Sequence, residues 1–254
     1  MLRKLLKYEF KATGRTLFPL YIALVVLAAI SRIILGTPDN NIETPGAISI
    51  MSYMCLLVGT VVTTFIVMLQ RFHKNLLGDE GYLMFTLPTV PWKLITSKLL
   101  VSLVWSFVGA FMALSSILIL AADNVTITAL SDILTQIVRF ITQEMDVSGA
   151  LHIVEFVLMV LIMPISGILL IYASIAIGHQ VSKHKLLIAL GAFVGLSTVS
   201  MALLAMFTDF LMVRISVPAT VHTALWIFIG FHTLMAAIYF FITNTLLSKR
   251  LNLE

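Results

Sequence analysis

The chain has 254 residues, of which 60% are hydrophobic and only 11% are charged. A soluble domain carries about 25% charged residues. A mean hydropathy of +1.06 is too apolar for a soluble core of this size, because much of a soluble chain must face water. The composition therefore excludes a soluble globular protein and predicts an all-α polytopic membrane protein in the lipid bilayer.

The basic character of the chain has a simple membrane explanation. The formal net charge is +4 and the isoelectric point is about 9.3, which is also typical of nucleic-acid-binding proteins. The basic residues cluster at the ends of apolar runs, where they orient membrane spans, so no nucleic-acid partner is expected. The single cysteine, Cys55, allows no intramolecular disulfide, and no Cys/His spacing predicts a metal site.

Residues 1–16 combine apolar and basic side chains at helical spacing. The apolar positions are Leu2, Leu5, Leu6 and Phe10, and the basic positions are Arg3, Lys4, Lys7 and Lys11. The pattern predicts an amphipathic interfacial helix whose cations face anionic lipid; the alternative is a plain basic flank of the first span. The apolar run that follows is longer than a signal-peptide core of about 7–15 residues, which predicts an uncleaved span.

Six apolar segments are long enough to cross a bilayer within a single transmembrane domain, residues 1–254. The predicted spans are approximately residues 17–36, 48–70, 99–122, 153–178, 186–208 and 223–247. In the fifth span, Gly191 and Gly195 form a G-x-x-x-G pair that permits close helix packing, either within one subunit or between two.

The segment between the third and fourth spans, residues 123–150, is the longest polar segment of the chain. Its apolar residues recur on one helix face. We therefore predict an extracellular amphipathic helix, which rests on the bilayer, caps the spans or contacts a substrate; the sequence does not distinguish these three roles.

The distribution of Lys and Arg predicts the orientation of the spans. Arg32, Arg139 and Arg214 fall on one side, and the remaining 13 of the 16 Lys and Arg residues fall on the side of the two termini. The positive-inside rule then predicts a multi-pass protein of the cell membrane with both termini in the cytoplasm. The segment between the second and third spans is cytoplasmic under this prediction.

Motifs for catalysis and nucleotide binding are missing from the sequence. No Walker A loop, H-E-x-x-H or G-x-S-x-G motif occurs, so the chain is not expected to be an enzyme. Glu155 is predicted near the outer end of the fourth span, and His222 and His232 are interpreted as packing residues of the last span. Since proton carriers need ionisable groups deep in the membrane, the energy source is expected outside this chain.

Acids, glycines and bulky apolar side chains occur close together between the second and third spans, in residues 78–88, GDEGYLMFTLP. Asp79 and Glu80 can form ion pairs or cap a helix N-terminus. Tyr82 and Phe85 are apolar anchors of the kind that dominate protein interfaces. The stretch predicts a short cytoplasmic helix presented to a soluble partner; a loop helix whose aromatic side chains only dip into lipid is the alternative.

With the basic N-terminal helix and the six spans, this stretch resembles the permease subunits of type-2 ABC exporters of Gram-positive bacteria. The motif continues in Pro91-Trp92-Lys93 and Ser97-Lys98-Leu99. The resemblance implies a coupling helix between spans two and three that docks on a separate cytoplasmic ABC ATPase. The docking residues would be Asp79, Glu80, Gly81, Tyr82, Leu83, Phe85, Thr86, Leu87 and Pro88.

The same resemblance implies that no cofactor is bound by this chain, because ATP and Mg would be bound by the partner ATPase. It also implies a second permease half, in a homodimer or a heterodimer, and re-entrant outer helices at residues 209–222. The long outer segment 123–150 departs from the family pattern. The expected function is export of an amphipathic cargo, such as a peptide, a lipid-like molecule or a drug. The alternative is a non-transporting structural or sensory subunit that signals to a cytoplasmic partner.

Overall fold

The computed structural model describes residues 2–36, 43–77, 90–139, 147–181, 183–214 and 220–249, and every regular element in these ranges is a helix. The prediction of an all-α membrane protein is confirmed, because six helices are long and apolar enough to span a membrane. The six spans are Leu5–Leu35, Pro45–His73, Pro91–Leu120, Gly149–Gly178, Lys185–Asp209 and Val221–Ser248.

At most of their ends, the helices extend beyond the apolar spans that the sequence predicts. They are α1 (Leu2–Leu35), α2 (Glu43–Leu77), α3 (Pro91–Leu120), α4 (Asn124–Arg139), α5 (Val147–Gly178), α6 (Lys185–Asp209) and α7 (Val221–Lys249), with a π-helical turn, Phe210–Arg214, continuing α6. The basic N-terminal stretch and the first span form one continuous helix, α1. The predicted coupling helix at residues 78–88 lies outside the described residues, as do 215–219 of the predicted outer helices.

The chain divides into two compact units. One unit, here the N-terminal unit, contains residues 3–68 and 104–145, and the other, the C-terminal unit, contains 69–103 and 146–254 with the first two residues. Helices α2 and α3 contribute residues to both units. The last turns of α2 and the first turns of α3 therefore belong to the same unit as the last three spans, an assignment that matters for the site below.

In the N-terminal unit, three fully buried side chains, Leu24, Ala28 and Tyr53, form a core cluster. Hydroxyl groups supplement this packing: Tyr53 Oη lies 2.9 Å from Ser116 Oγ, and Ser31 Oγ donates to the carbonyl oxygen of Ser49 at 3.3 Å. Because lipid is as apolar as a Leu side chain, helices in a bilayer associate through such packing and interhelical hydrogen bonds. These contacts join α1 to α2 and α2 to α3.

In the C-terminal unit, α5 is the central helix, and it packs against both α6 and α7. Its buried residues include Leu169, Tyr172, Ala173 and Ala176, whereas α6 has no buried residue. Helices α5 and α6 approach closely at Gly178, where a Cβ would lie 2.6 Å from Ala189 Cβ and 2.7 Å from the Lys185 carbonyl oxygen. Small residues at the helix interface permit this approach.

The G-x-x-x-G pair that the sequence singled out is not part of this contact. A Cβ at Gly191 or Gly195 would meet no heavy atom within 4 Å. Close packing at this pair within one subunit is therefore not observed among the described residues. The turn that brings α6 back against α5 includes His184, whose φ of 59° is left-handed, a conformation that His adopts more readily than most residues.

A pair of matched glycine substitutions tests this packing. Gly178→Ala should lower the melting temperature in detergent, because the new methyl group collides with backbone atoms that cannot move aside; overpacking of this kind costs about 1–3 kcal/mol. Gly191→Ala should leave the melting temperature unchanged or raise it, since Ala is favoured over Gly in a helix by about 0.5–1 kcal/mol. Equal effects of the two substitutions on thermal unfolding would contradict the assignment of Gly178 as the contact.

Candidate functional site

The predicted docking residues, Asp79 through Pro88, all lie outside the described residues. The structure does describe the two helices that flank them. Helix α2 ends at Leu77 and α3 begins at Pro91, a position where a proline's missing N–H leaves no helical hydrogen bond unmade. The residues that anchor these two helix ends decide how firmly the intervening segment is attached to the rest of the protein.

Tyr172 of α5 contacts both flanking helices. Its ring stacks on the ring of Phe72 of α2, with centroids 3.9 Å apart and an interplanar angle of 8°. Its hydroxyl lies 3.0 Å from Ser102 Oγ of α3. All three side chains are buried, with Phe72 and Tyr172 at most 1% exposed. An aromatic pair contributes about 0.5–1.5 kcal/mol beyond its buried area, and the hydrogen bond contributes a net amount of about 0.5–1.5 kcal/mol.

The first turns of α3 are also buried in the protein. Leu94, Ile95 and Val101 are at most 5% exposed, and Lys98 is only 3% exposed. Lys98 was predicted from the charge pattern as an orienting cation, yet its side chain is enclosed by protein and has a partner. The neighbouring Trp92 is 43% exposed, in keeping with a Trp at the membrane interface.

A histidine pair lies next to the aromatic stack. The rings of His73, at the end of α2, and His179, just after α5, are 4.7 Å apart in an edge-to-face arrangement. His179 is 7% exposed, and neither of its ring nitrogens has a hydrogen-bond partner among the described residues. Burial lowers the pKa of His179 to about 4, with smaller contributions from the positive charge of His73 and of Lys185.

A second ionisable cluster lies about 26 Å from Tyr172 along α5, at 1.5 Å per residue. Glu155 of α5 is 1% exposed and contacts His222 Nδ1 at the start of α7. Apart from this contact, neither carboxylate oxygen has a hydrogen-bond partner in the described part of the chain. The His152 ring lies 6.0 Å from the His222 ring. No group of three metal-ligating side chains that could hold an ion occurs among the described residues.

The sequence interpretation missed this pairing. It placed Glu155 near the end of a span and treated His222 as a packing residue, with no connection between them. The available signal was an acid in an apolar span, which needs a partner because a bare carboxylate is costly in the membrane. To identify His222, in another helix, as the partner of Glu155, one must know that α5 packs against α7.

The N-terminal unit contains a cavity of about 290 Å³ between α1, α2 and α3. Its lining is largely apolar, and its polar side chains bond to the protein: Tyr21 Oη lies 3.0 Å from Thr64 Oγ1, and Thr64 in turn donates to the Thr60 carbonyl oxygen at 2.8 Å. Ser106 Oγ contacts the Met68 sulfur at 3.7 Å. The cavity suits an apolar group, and it provides no unsatisfied polar atom that would select a particular ligand.

Comparison of the chain with protein families, curated proteins and solved structures found no match. Arguments about its function therefore depend on the residues and contacts described above.

The contact between Glu155 and His222 predicts an asymmetry between two substitutions. The Glu155 side chain is 2% exposed, whereas that of His222 is 46% exposed. His222→Ala should be strongly destabilising, because it leaves a buried carboxylate without its partner, at a cost of about 3–5 kcal/mol. Glu155→Gln should cost less, because the half-exposed imidazole can still reach solvent or lipid headgroups. Thermal unfolding in detergent measures both effects.

The double variant Glu155→Gln/His222→Ala is the control. Its stability should exceed that of His222→Ala alone, because the buried charge is gone. An equal or larger loss in Glu155→Gln than in His222→Ala would contradict the explanation by burial.

The buried His179 predicts a dependence of stability on pH. Because its pKa in the folded protein, about 4, lies below the ordinary value of 6.5, the unfolded chain binds the proton first. Stability present at neutral pH should therefore decline as the pH falls from 6.5 towards 4. The variant His179→Gln should show a flatter decline in this window, measured by melting temperature against pH. His184→Gln, at an exposed histidine, is the control, and a slope shared by all three proteins would exclude His179 as the cause.

Proposed function

We propose that this chain is the membrane permease subunit of an ATP-driven ABC exporter, and that residues 78–88 dock it on a separate cytoplasmic ATPase. The observation that carries the proposal is the position of Tyr172. It contacts α2 through Phe72 and α3 through Ser102, so the two helices that flank the docking segment are joined to the same long helix, α5. A segment that receives force from a partner needs such an attachment.

The attachment gives a physical route for motion. Helix α5 has 32 residues and packs against α6 and α7. A displacement at the ends of α2 and α3 would move α5 through a buried aromatic stack, and packed helices respond by shifting as rigid elements. The binding of ATP by the partner would thereby alter the packing of the spans on which α5 lies.

The docking residues have distinct proposed roles. Asp79 and Glu80 supply charge for ion pairs with the ATPase or cap the short helix, and Gly81 permits close approach. The apolar anchors are Tyr82, Leu83, Phe85 and Leu87, of the residue types that fill pockets in protein interfaces. Thr86 and Pro88 complete the segment ahead of α3.

The proposal includes the orientation and the assembly. The excess of Lys and Arg on the side of the termini supports cytoplasmic termini in the cell membrane, which places residues 78–88 where an ATPase is accessible. ATP and Mg would be bound only by the ATPase, and a second permease half, identical or different, would complete the transporter. An amphipathic cargo, such as a peptide, a lipid-like molecule or a drug, is the proposed substrate class.

The experiment is the purification of the detergent-solubilised protein from its native cells, followed by identification of the co-purifying chains and an ATPase assay. We expect a stoichiometric soluble ATPase with the wild-type chain. Its co-purification should be lost in the variant Glu80→Ala/Tyr82→Ala, because an interface charge and an aromatic anchor are both removed. A chain that purifies alone under conditions that preserve membrane complexes would instead favour the non-transporting structural or sensory subunit.

Two substitutions of Tyr172 test the transmission of motion through α5 separately from the docking of the ATPase. Tyr172→Phe retains the stack on Phe72 and removes the hydrogen bond to Ser102, whereas Tyr172→Leu removes both. Both variants should retain the ATPase in the pull-down, and transport by reconstituted complexes should fall more in Tyr172→Leu than in Tyr172→Phe. Unchanged transport in Tyr172→Leu would exclude α5 as the transmitting helix while leaving the docking proposal intact.

A further inference from the structure

Helix α4 carries an exposed apolar face. Six aliphatic side chains on one side of the helix are between 38% and 57% exposed: Ile127, Leu130, Ile133, Leu134, Ile137 and Val138. They fall within an arc of about 140° at 100° per residue. None of them is buried against another part of the described chain.

The opposite side of α4 is polar and nearly neutral. It carries Ser131, Asp132, Thr135, Gln136 and Arg139, all exposed. The two hydroxyl groups bond within the helix, Ser131 Oγ to the Thr128 carbonyl oxygen and Thr135 Oγ1 to the Ser131 carbonyl oxygen, both at 2.7 Å. One acid and one base leave this face without a net charge. Attraction to anionic headgroups therefore contributes little to any membrane contact of α4.

The start of α4 is fixed close to the end of a span. Helix α3 ends at Leu120 and α4 begins at Asn124. Asp123 caps α4, with the Thr126 backbone N–H donating to its Oδ1 at 2.6 Å. Hydrogen bonds from the side chain and the backbone of Thr126 lower the pKa of Asp123, so the cap is ionised at neutral pH, as suits a helix N-terminus.

The length and position of α4 exclude a transmembrane course. Its 16 residues extend about 24 Å, less than the hydrocarbon thickness of about 30 Å. Only three residues nevertheless separate its start from the end of α3. Apolar residues in the second half of α3, among them Phe111, Leu114 and Leu118, are themselves exposed, as suits a span that contacts lipid. Helix α4 thus follows an exposed apolar span almost directly.

We propose that α4 lies in the plane of the bilayer, with its aliphatic face inserted between the lipid headgroups and acyl chains at the membrane face where α3 ends. An amphipathic helix with a charged or polar outer side and low net hydrophobicity takes this position. The composition of the face favours lipid over a protein partner, because it contains no aromatic residue and no Arg, the side chains that anchor protein interfaces. The proposal goes beyond export and does not depend on it.

Site-directed spin labelling of the full chain tests this position. Cys55, the one cysteine, is exposed and is first replaced in the variant Cys55→Ser. Single cysteines are then introduced by Leu130→Cys and Leu134→Cys on the aliphatic face, with Asp132→Cys and Gln136→Cys as matched controls on the polar face. All four sites are exposed, so the labels do not disturb a packed core.

The labelled proteins are reconstituted in phosphatidylcholine vesicles, and collisions with oxygen and with a water-soluble nickel chelate are measured. We expect labels at 130 and 134 to collide mostly with oxygen, which partitions into lipid, and labels at 132 and 136 to collide several-fold more with the chelate. Adding phosphatidylglycerol should leave this pattern unchanged, because the polar face has no net charge.

Two results would overturn the proposal. High collision rates with the chelate at all four sites would show that α4 is surrounded by water. Immobilised labels with low collision rates for both reagents at 130 and 134 would show that protein covers the face; spin dilution with unlabelled chain, which relieves broadening between two copies, would then identify a second copy as the occupant.

Discussion

The contact of Tyr172 with Phe72 and Ser102 is the interaction that joins α2 and α3 to α5, the central helix of the C-terminal unit. Inside a bilayer, burial of apolar surface does not by itself hold helices together, because the lipid offers an equally apolar environment. Specific contacts must therefore decide which helices are neighbours. The stack at 3.9 Å and the hydrogen bond at 3.0 Å meet at one side chain, so a single residue of α5 contacts both α2 and α3. These two helices flank the segment that we propose as the docking site.

The same constraint explains how polar groups are used elsewhere in the chain. In the N-terminal unit, Tyr53 with Ser116 and Tyr21 with Thr64 are hydroxyl pairs between helices. Several other hydroxyls bond to a carbonyl of their own helix, as Thr60 does with Leu56 at 2.7 Å, which satisfies the group without a neighbour. Among the described residues, few buried polar side-chain atoms are left to select a ligand by hydrogen bonding. A cargo that contacts these helices would be recognised chiefly by shape and apolar surface, which suits the amphipathic class that we propose.

The sequence predicted the architecture because long apolar runs carry an unambiguous signal, and six spans appear where six runs were found. It did not predict where the helices end, since α1 continues without a break from Leu2 through the basic segment into the span. The contacts between side chains were still harder to predict from the sequence. Glu155 and His222 are 67 positions apart in the sequence, and only the packing of α5 on α7 relates them. The G-x-x-x-G pattern indicated close packing at Gly191 and Gly195, whereas the close approach of α5 and α6 occurs at Gly178. A small residue permits a helix contact, but it does not determine whether another helix packs there.

The two ends of α5 make different kinds of contact, and this difference affects how the helix can move. Near one end, Tyr172 makes a stacked, buried contact with Phe72. Near the other end, the buried carboxylate of Glu155 contacts His222 of α7. Because α5 is one helix from Val147 to Gly178, a displacement received near Tyr172 has to be accommodated where Glu155 meets α7. The carboxylate is buried and the imidazole is half-exposed, so separation of the two would leave the charge of Glu155 unpaired in an apolar surrounding. That cost opposes sliding of α5 along α7, and it favours motions in which the two helices move together.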